Sequence, residues 1–266
     1  MILRGYIVEW SESIPWSAMH QVEQDLIISR VLVEIYKDEF LSKRLAFRGG
    51  TAIHRLFLTQ QARYSEDIDL VQINTEPIGP TLDKLRETLS FLGTPATQRK
   101  ASNNTMIYKF QSTFPPEAPL KLKVEINCKE HFSVLGYKKI PYEITSSWFF
   151  GRCELTTFDF NELIGTKLRA LYQRRKGRDL FDLYLAASSP LLNPDQALEC
   201  FRRYMEFSVG KTPTEKEYLR NLEEKMKVPQ FLKDMDDIIR PGIKYDPFTA
   251  FEVVKEVFIN TKNVWR

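Results

Sequence analysis

Cysteine is scarce in this chain. Cys128, Cys153 and Cys200 are the only three in 266 residues, widely spaced and odd in number. No CxxC pair exists, so a disulfide framework and a cysteine zinc knuckle are excluded, and three reduced thiols are expected. No run of about 18 apolar residues occurs, so no membrane-spanning helix is expected. The opening MILRGYIVEWSESIPW places Glu9 and Glu12 where a signal peptide needs an unbroken apolar stretch. These absences predict a cytoplasmic protein. Nor does one sign of charge dominate. Lys+Arg is 38 and Asp+Glu is 35, and a net +3 is too mild to indicate a nucleic-acid partner by itself. Glycine (11) and proline (14) are ordinary, which excludes collagen-like and low-complexity chains.

What is present is a core. Hydrophobic residues make up 43% of the chain, enough for one large domain or two small ones. No internal repeat is visible. Residues 1–16 read as irregular, with Tyr6, Trp10 and Trp16 placed to dock on something. Residues 18–40 read as a helix, since Val22, Leu26, Ile27, Val31, Val33 and Ile35 recur without Gly or Pro. Gly49-Gly50 breaks the chain ahead of a short helix at 51–58. Residues 63–73 read as a strand with an acidic interruption, 81–92 as a helix, and 105–112 and 119–128 as two strands. In the last of these, Leu120, Leu122, Val124, Ile126 and Cys128 alternate with Lys121, Lys123, Glu125 and Asn127. From 158 the pattern turns helical. Phe160, Leu163, Ile164, Lys167, Leu168 and Leu171 form one stripe, Gly177 interrupts, and helices follow at 179–187, 195–209, 214–227, 229–239 and 247–260. The expected organisation is an α/β (α+β) part over 1–155 with a mixed sheet, then a mostly helical part over 156–266.

Four features carry chemistry. Asp67 and Asp69 stand two apart on a strand, so both side chains leave one face, about 6–7 Å apart at Cα. Two carboxylates this close repel unless a cation lies between them. Hard oxygens, with no suitable His or Cys, favour Mg²⁺ or Mn²⁺ over zinc. A solvated strand edge is the competing explanation. Gly49-Gly50-Thr51 ahead of a helix offers close backbone approach and free N–H groups to a phosphate, or is a plain capped turn. Glu125 becomes a third carboxylate if its strand runs beside Asp67 and Asp69, and is otherwise one polar residue on an outer face. Lys167 interrupts an apolar stripe, and burying a lysine is costly unless it is paired. Asp179 and Asp182 follow the basic run Arg174, Arg175, Lys176, Arg178, either as part of a phosphate site or as a salt-bridged helix pair.

The order of these features resembles a polymerase-β-type nucleotidyltransferase, where two metals clamp an α-phosphate for in-line attack. More specifically, FRGGTAIHRLFL…RYSEDIDLV (47–71) is similar to the signature of the AbiEii-type toxin nucleotidyltransferases, to which the MenT toxins are related. KVEIN (123–127) resembles their second motif, with Glu125 in place of the usual Asp, and ELIGTKLRALYQRRKGRDLFDLYL (162–185) their helical Lys and Arg-Asp-x-x-Asp region. PWSAMHQVEQDLIISRVL (15–32) also has the family's look.

The resemblance covers most of 10–187 and implies a nucleotidyltransferase core with a helical C-terminal part. It implies an NTP substrate, Mg²⁺ (or Mn²⁺), a role as the toxin of a bacterial toxin–antitoxin pair, and hence a cognate antitoxin. Some members add nucleotides to tRNA 3′ ends, and tRNA is the implied acceptor here. Carried residue by residue, the implied metal ligands are Asp67, Asp69 and Glu125. The implied nucleotide-binding residues are Gly49, Gly50, Thr51, Ser65 and Arg178. Lys167 and Asp179 or Asp182 complete the catalytic set. Arg99, Lys100, Arg174, Arg175, Lys176, Arg178, Arg202 and Arg203 are available to track an RNA backbone, or are scattered solvated charges. Two further readings stand beside this one: nucleotidylation of a protein or small molecule, and a non-catalytic nucleotide-binding partner protein.

Overall fold

The computed structural model describes residues 2–58, 61–99, 102–115 and 117–260. They form two compact units, one of residues 1–133 and 137–158, the other of 134–136 and 159–266. In sequence the main division therefore falls at Phe158–Asp159.

The first unit is built on one long helix and a sheet. The opening residues, expected to be irregular, form helix α1 (Arg4–Ser11). Trp10 and Trp16 dock on the next helix, α2 (Met19–Lys37), where both indole N–H groups donate to the Asp25 carboxylate at 3.0 and 3.2 Å. Its predicted apolar positions are all buried, as are Glu23, Gln24, Asp25 and Ser29, so this helix is enclosed on nearly every side. The buried polar groups are paired, as burial demands. Gln24 donates to the carbonyls of Glu66 and Lys121, which ties the helix to the strand at Pro119–Asn127 and to the residue that leads into the strand at Asp67–Gln72. After the single turn α3 (Glu39–Ser42) come strand β1 (Leu45–Arg48) and helix α4 (Gly49–Leu56). Strand β2 spans Asp67–Gln72, helix α5 Gly79–Thr88, and a 3₁₀ turn covers Ser90–Leu92.

Five more strands follow: β3 (Ala96–Arg99), β4 (Asn103–Gln111), β5 (Pro119–Asn127), β6 (Tyr137–Thr145) and β7 (Phe150–Phe158). They assemble with β1 and β2 in the order β3-β4-β5-β2-β1-β7-β6. The β2–β5 and β1–β7 pairs are parallel and the rest antiparallel, so the sheet is mixed as expected. Strands β1, β3, β6 and β7 are additions to the sequence reading. β1 and β3 are four residues each, and β3 is largely exposed, so neither shows the period-two pattern that marks a half-buried strand. β6 is an edge strand carrying Pro141, a residue tolerated there because one side of an edge makes no ladder bonds.

The second unit is helical. Asp159 caps α6 (Phe160–Gln173) by accepting from the Asn161 N–H at 2.9 Å. All six stripe residues from Phe160 to Leu171 are buried. Gly165 lies where α6 meets α8 (Pro194–Val209). A Cβ there would sit 2.6 Å from the Ala197 carbonyl oxygen, so only glycine lets the two backbones approach. Helices α7 (Gly177–Ala187), α9 (Glu215–Met226) and α11 (Pro247–Val254) complete the unit, the last running into a π turn at Lys255–Ile259. The expected helix at 229–239 is cut to the single turn α10 (Pro229–Leu232), followed by turns. Phe231 and Met235 are buried there all the same, so the turns keep the apolar positions on the core without a continuous helix.

Among the described residues no helix is long and apolar enough to cross a membrane. The three cysteines are free thiols.

Candidate active site

The first unit gathers the acidic residues and the glycine turn. On β2, Ile68 and Leu70 are buried while Asp67 and Asp69 are half-buried on the opposite face. β5 repeats the pattern, with Leu122, Val124 and Ile126 buried and Lys123 and Glu125 half-buried. The parallel register sets Asp67 beside Lys123 and Asp69 beside Glu125. Side chains at matched register positions share a face, so the three acids line one side of the sheet's centre. The condition placed on Glu125, that its strand run beside the aspartates, is met.

Their surroundings differ. The Lys123 ammonium approaches Asp67 Oδ2 at 3.5 Å. Burial pushes the Asp67 carboxyl above its usual range; Lys123 opposes the rise, while Asp69 and Glu66 add to it. Glu125 Oε1 accepts from the Asn103 side-chain N–H at 2.8 Å. The Asp69 side chain takes part in no hydrogen bond or ion pair shown among the described residues. It faces Gly49 instead, whose φ of +80° is one that L side chains rarely adopt. A Cβ on Gly49 would run into the Asp69 carboxylate. That glycine starts α4, so its absent side chain lets the Asp69 carboxylate lie against the first turn of the helix, the end at which N–H groups lack intrahelical partners.

Thr51 fastens this turn. Its hydroxyl donates to the Asp67 carbonyl oxygen at 2.8 Å and lies 2.9 Å from Ser65 Oγ. Arg55, at the other end of α4, forms a buried ion pair with Asp25 at 2.5 Å and donates to Ser29 at 2.8 Å. Arg48, opposite Asp69 on β1, pairs with Glu130 at 2.6 Å. The sequence reading gave no site role to Arg48, Lys123 or Asn103. Lys123 was visible as the residue two before Glu125. Asn103 had no local signal, because it reaches Glu125 across an antiparallel ladder 22 residues away.

Replacing Gly49 by Ala is expected to cost about 1–2 kcal/mol for the left-handed backbone alone, read from urea unfolding. Displacing Asp69 should cost more in function, on the order of 10²-fold in turnover for a misplacement near 1 Å.

The second unit holds the lysine and the later acids. Lys167 lies 2.9 Å from Asp179 and 2.8 Å from Asp182, and all three are buried. Asp179 stands in the first turn of α7. It also takes a fork from Arg174, at 2.6 Å from Nε and 2.8 Å from Nη2. Burial would raise the Asp179 carboxyl; Lys167 and Arg174 outweigh that and hold it below its usual range. Arg178 is fixed through its backbone N–H, which donates to Asp234 at 3.1 Å. Of the other basic residues, Arg202 pairs with Glu199 and Arg203 with Glu206 one helical turn away. Arg99 and Arg175 are exposed, and Lys100 lies outside the described residues.

Among the described residues no three His, Cys, Asp or Glu side chains converge tightly enough to hold a metal alone. Mg²⁺ is commonly held by one or two carboxylates together with water and substrate phosphates. Asp67 and Asp69 are hard donors on one face, and Gly49 leaves room for the Asp69 carboxylate, so these residues fit such an ion.

Acids on one face of neighbouring central strands, next to a glycine-started helix, form an arrangement that can take a divalent cation and a phosphate, the groups a nucleotidyltransferase handles. The family model described as nucleotidyl transferase AbiEii toxin, type IV toxin–antitoxin system, matches residues 30–256, and the chain belongs to that family. The fold is similar to that of MenT4, a nucleotidyltransferase toxin from Mycobacterium tuberculosis H37Rv, with a TM-score of 0.66 at 14% identity over 97% of this chain and 89% of that one. JHP933 from Helicobacter pylori gives a TM-score of 0.54 at 15% identity over 90% and 89%. A putative nucleotidyltransferase from the same organism gives 0.53 at 14% over 90% and 93%. No curated protein sequence matched.

Proposed function

We propose that this toxin-family nucleotidyltransferase transfers a nucleoside monophosphate from an NTP to an acceptor hydroxyl, with a tRNA 3′ end as the acceptor, in the cytoplasm and under control of a cognate antitoxin. The observation that carries the transfer reaction is the register of Asp69 with Glu125, with Asp67 on the same face and Gly49 leaving room for Asp69. Asp67, Asp69 and Glu125 would hold divalent cations, which when bound neutralise the phosphates and lower the pKa of the acceptor hydroxyl. The chain's own work is positioning. Gly49 and Gly50 present the α4 N-terminus to the β- and γ-phosphates, with Thr51 and Ser65 fixing that turn to β2. The acceptor oxygen bonds to the α-phosphorus as the bond to pyrophosphate breaks, a displacement that asks for alignment and charge neutralisation more than for proton relays. Lys167 with Asp179 or Asp182, and Arg178, complete the catalytic and nucleotide-binding set that the resemblance implies; in the helical unit Lys167, Asp179 and Asp182 form a buried ion-paired cluster. The tRNA acceptor, the antitoxin and the cytoplasmic setting rest on the family resemblance.

Purified protein incubated with Mg²⁺, bacterial tRNA and each of four α-³²P-labelled NTPs is expected to label tRNA with one preferred nucleotide. The labelling should weaken steeply with salt if phosphate contacts hold the RNA. Label on a protein or small molecule of a cell lysate, with none on tRNA, would replace the acceptor. No label on any acceptor would leave a nucleotide-binding partner protein.

A further inference from the structure

Asn103 stands at the start of β4, in register with Asn127 and diagonal to Glu125 on the same face. Its Nδ2 donates to Glu125 Oε1 at 2.8 Å. A carboxylate only accepts, so the amide must turn its nitrogen to Glu125 and its oxygen away. That oxygen is buried with no hydrogen-bond partner. A fold with no use for this amide would do better with an apolar side chain here, because a buried acceptor without a partner is a net cost. Glu125 is the only side-chain partner that Asn103 has among the described residues.

We propose that Asn103 is a positioning residue for the third acid: its amide fixes the Glu125 carboxylate in the orientation that faces Asp69, at the expense of an unsatisfied oxygen. This rests on the proposed reaction, and adds to it a residue outside the metal-binding acids. Groups that orient a metal-binding carboxylate tune how well it holds an ion, and their loss typically weakens metal affinity or activity by about 10–100-fold.

The test compares the full-length protein with Asn103→Leu and Asn103→Gln, using Mn²⁺ alone as the probe, read by electron paramagnetic resonance. Transfer of labelled nucleotide and the thermal midpoint are measured beside it. Asn103→Leu is expected to bind Mn²⁺ about 10-fold more weakly and to turn over about 10-fold more slowly. Its thermal midpoint should stay equal or rise, because the unsatisfied oxygen has gone. Asn103→Gln, which keeps the donor, should recover part of both losses. A merely structural Asn103 would instead lower the midpoint, with activity following the folded fraction. That result, or wild-type Mn²⁺ affinity and turnover in Asn103→Leu, overturns the proposal. In those cases Asp69→Asn still abolishes Mn²⁺ binding. If wild type itself neither binds Mn²⁺ nor transfers label, the reaction proposed above fails, and this inference with it.

Discussion

Asp69→Asn is expected to reduce nucleotidyl transfer by about 10³-fold while leaving the protein folded. Charge stabilisation of a transferring phosphoryl group is worth several kcal/mol, and each 1.36 kcal/mol is tenfold in rate. The fold should tolerate the change. Asp69 is half-buried, and no ion pair or hydrogen bond of its side chain is shown among the described residues, so an isosteric amide abandons no partner. Asp67→Asn should act in the same direction, with a small added stability change from loss of the Lys123 pair. Label transfer from α-³²P-NTP and a thermal melt on each variant check both statements. Transfer at the wild-type rate in the Asp69 variant would remove the two-carboxylate reading altogether. A large drop in melting temperature would show instead that Asp69 supports the fold.

Lys167→Met is expected to be the most destabilising single change in the helical unit, by about 3–5 kcal/mol near neutral pH. The lysine ion-pairs with Asp179 and Asp182, both fully buried. Removing it takes the ammonium away from two buried carboxylates, of which Asp179 keeps the Arg174 fork. The pH dependence separates the two proteins. In wild type the Asp179 carboxyl is held below its usual range. Stability from that shift is therefore present above the unfolded carboxyl pKa, about 3.9, and is lost as pH falls through the lower folded value. In the variant the Asp179 carboxyl loses the ammonium that helps hold it low while its burial penalty stays, so its pKa rises and protonation helps folding. Urea unfolding at pH 7 and pH 5 should show the variant gaining stability towards pH 5 while wild type does not. An unfolding free energy within about 1 kcal/mol of wild type would mean that water replaces the ammonium in this cluster.

Much of this molecule was readable because its signals are local. The β5 alternation from Leu120 to Asn127 fixed which side of the strand is core, and the structure buries those same apolar residues. The α6 stripe fixed that Lys167 points inward, and the cost of burying a charge required a partner for it. The motifs from Gly49 to Asp69 pointed to a family that matches residues 30–256. The short strands escaped for the opposite reason. Four residues of β1 or β3 carry too few periods to register, and β6 is broken by Pro141. The opening helix α1 escaped because much of its apolar surface is aromatic and spread around it, so no clean stripe appears.

The sequence by itself determined the chemistry on offer: two aspartates on one face of a strand, a glycine turn ahead of a helix, an acid on a second strand, and a buried lysine followed by two acids. Period-two and period-3.6 patterns are enough for that, since they depend only on neighbours along the chain. Tertiary structure alone decided which groups meet. The parallel pairing of β2 with β5 placed Glu125 beside Asp69, across more than fifty residues of chain. The pairing of β4 with β5 brought Asn103 to Glu125, and the collision awaiting any side chain at Gly49 exists only because β2 passes beneath it. Strand register is set by how whole faces pack against a core, and a slip of one residue would turn every one of these side chains to the wrong side.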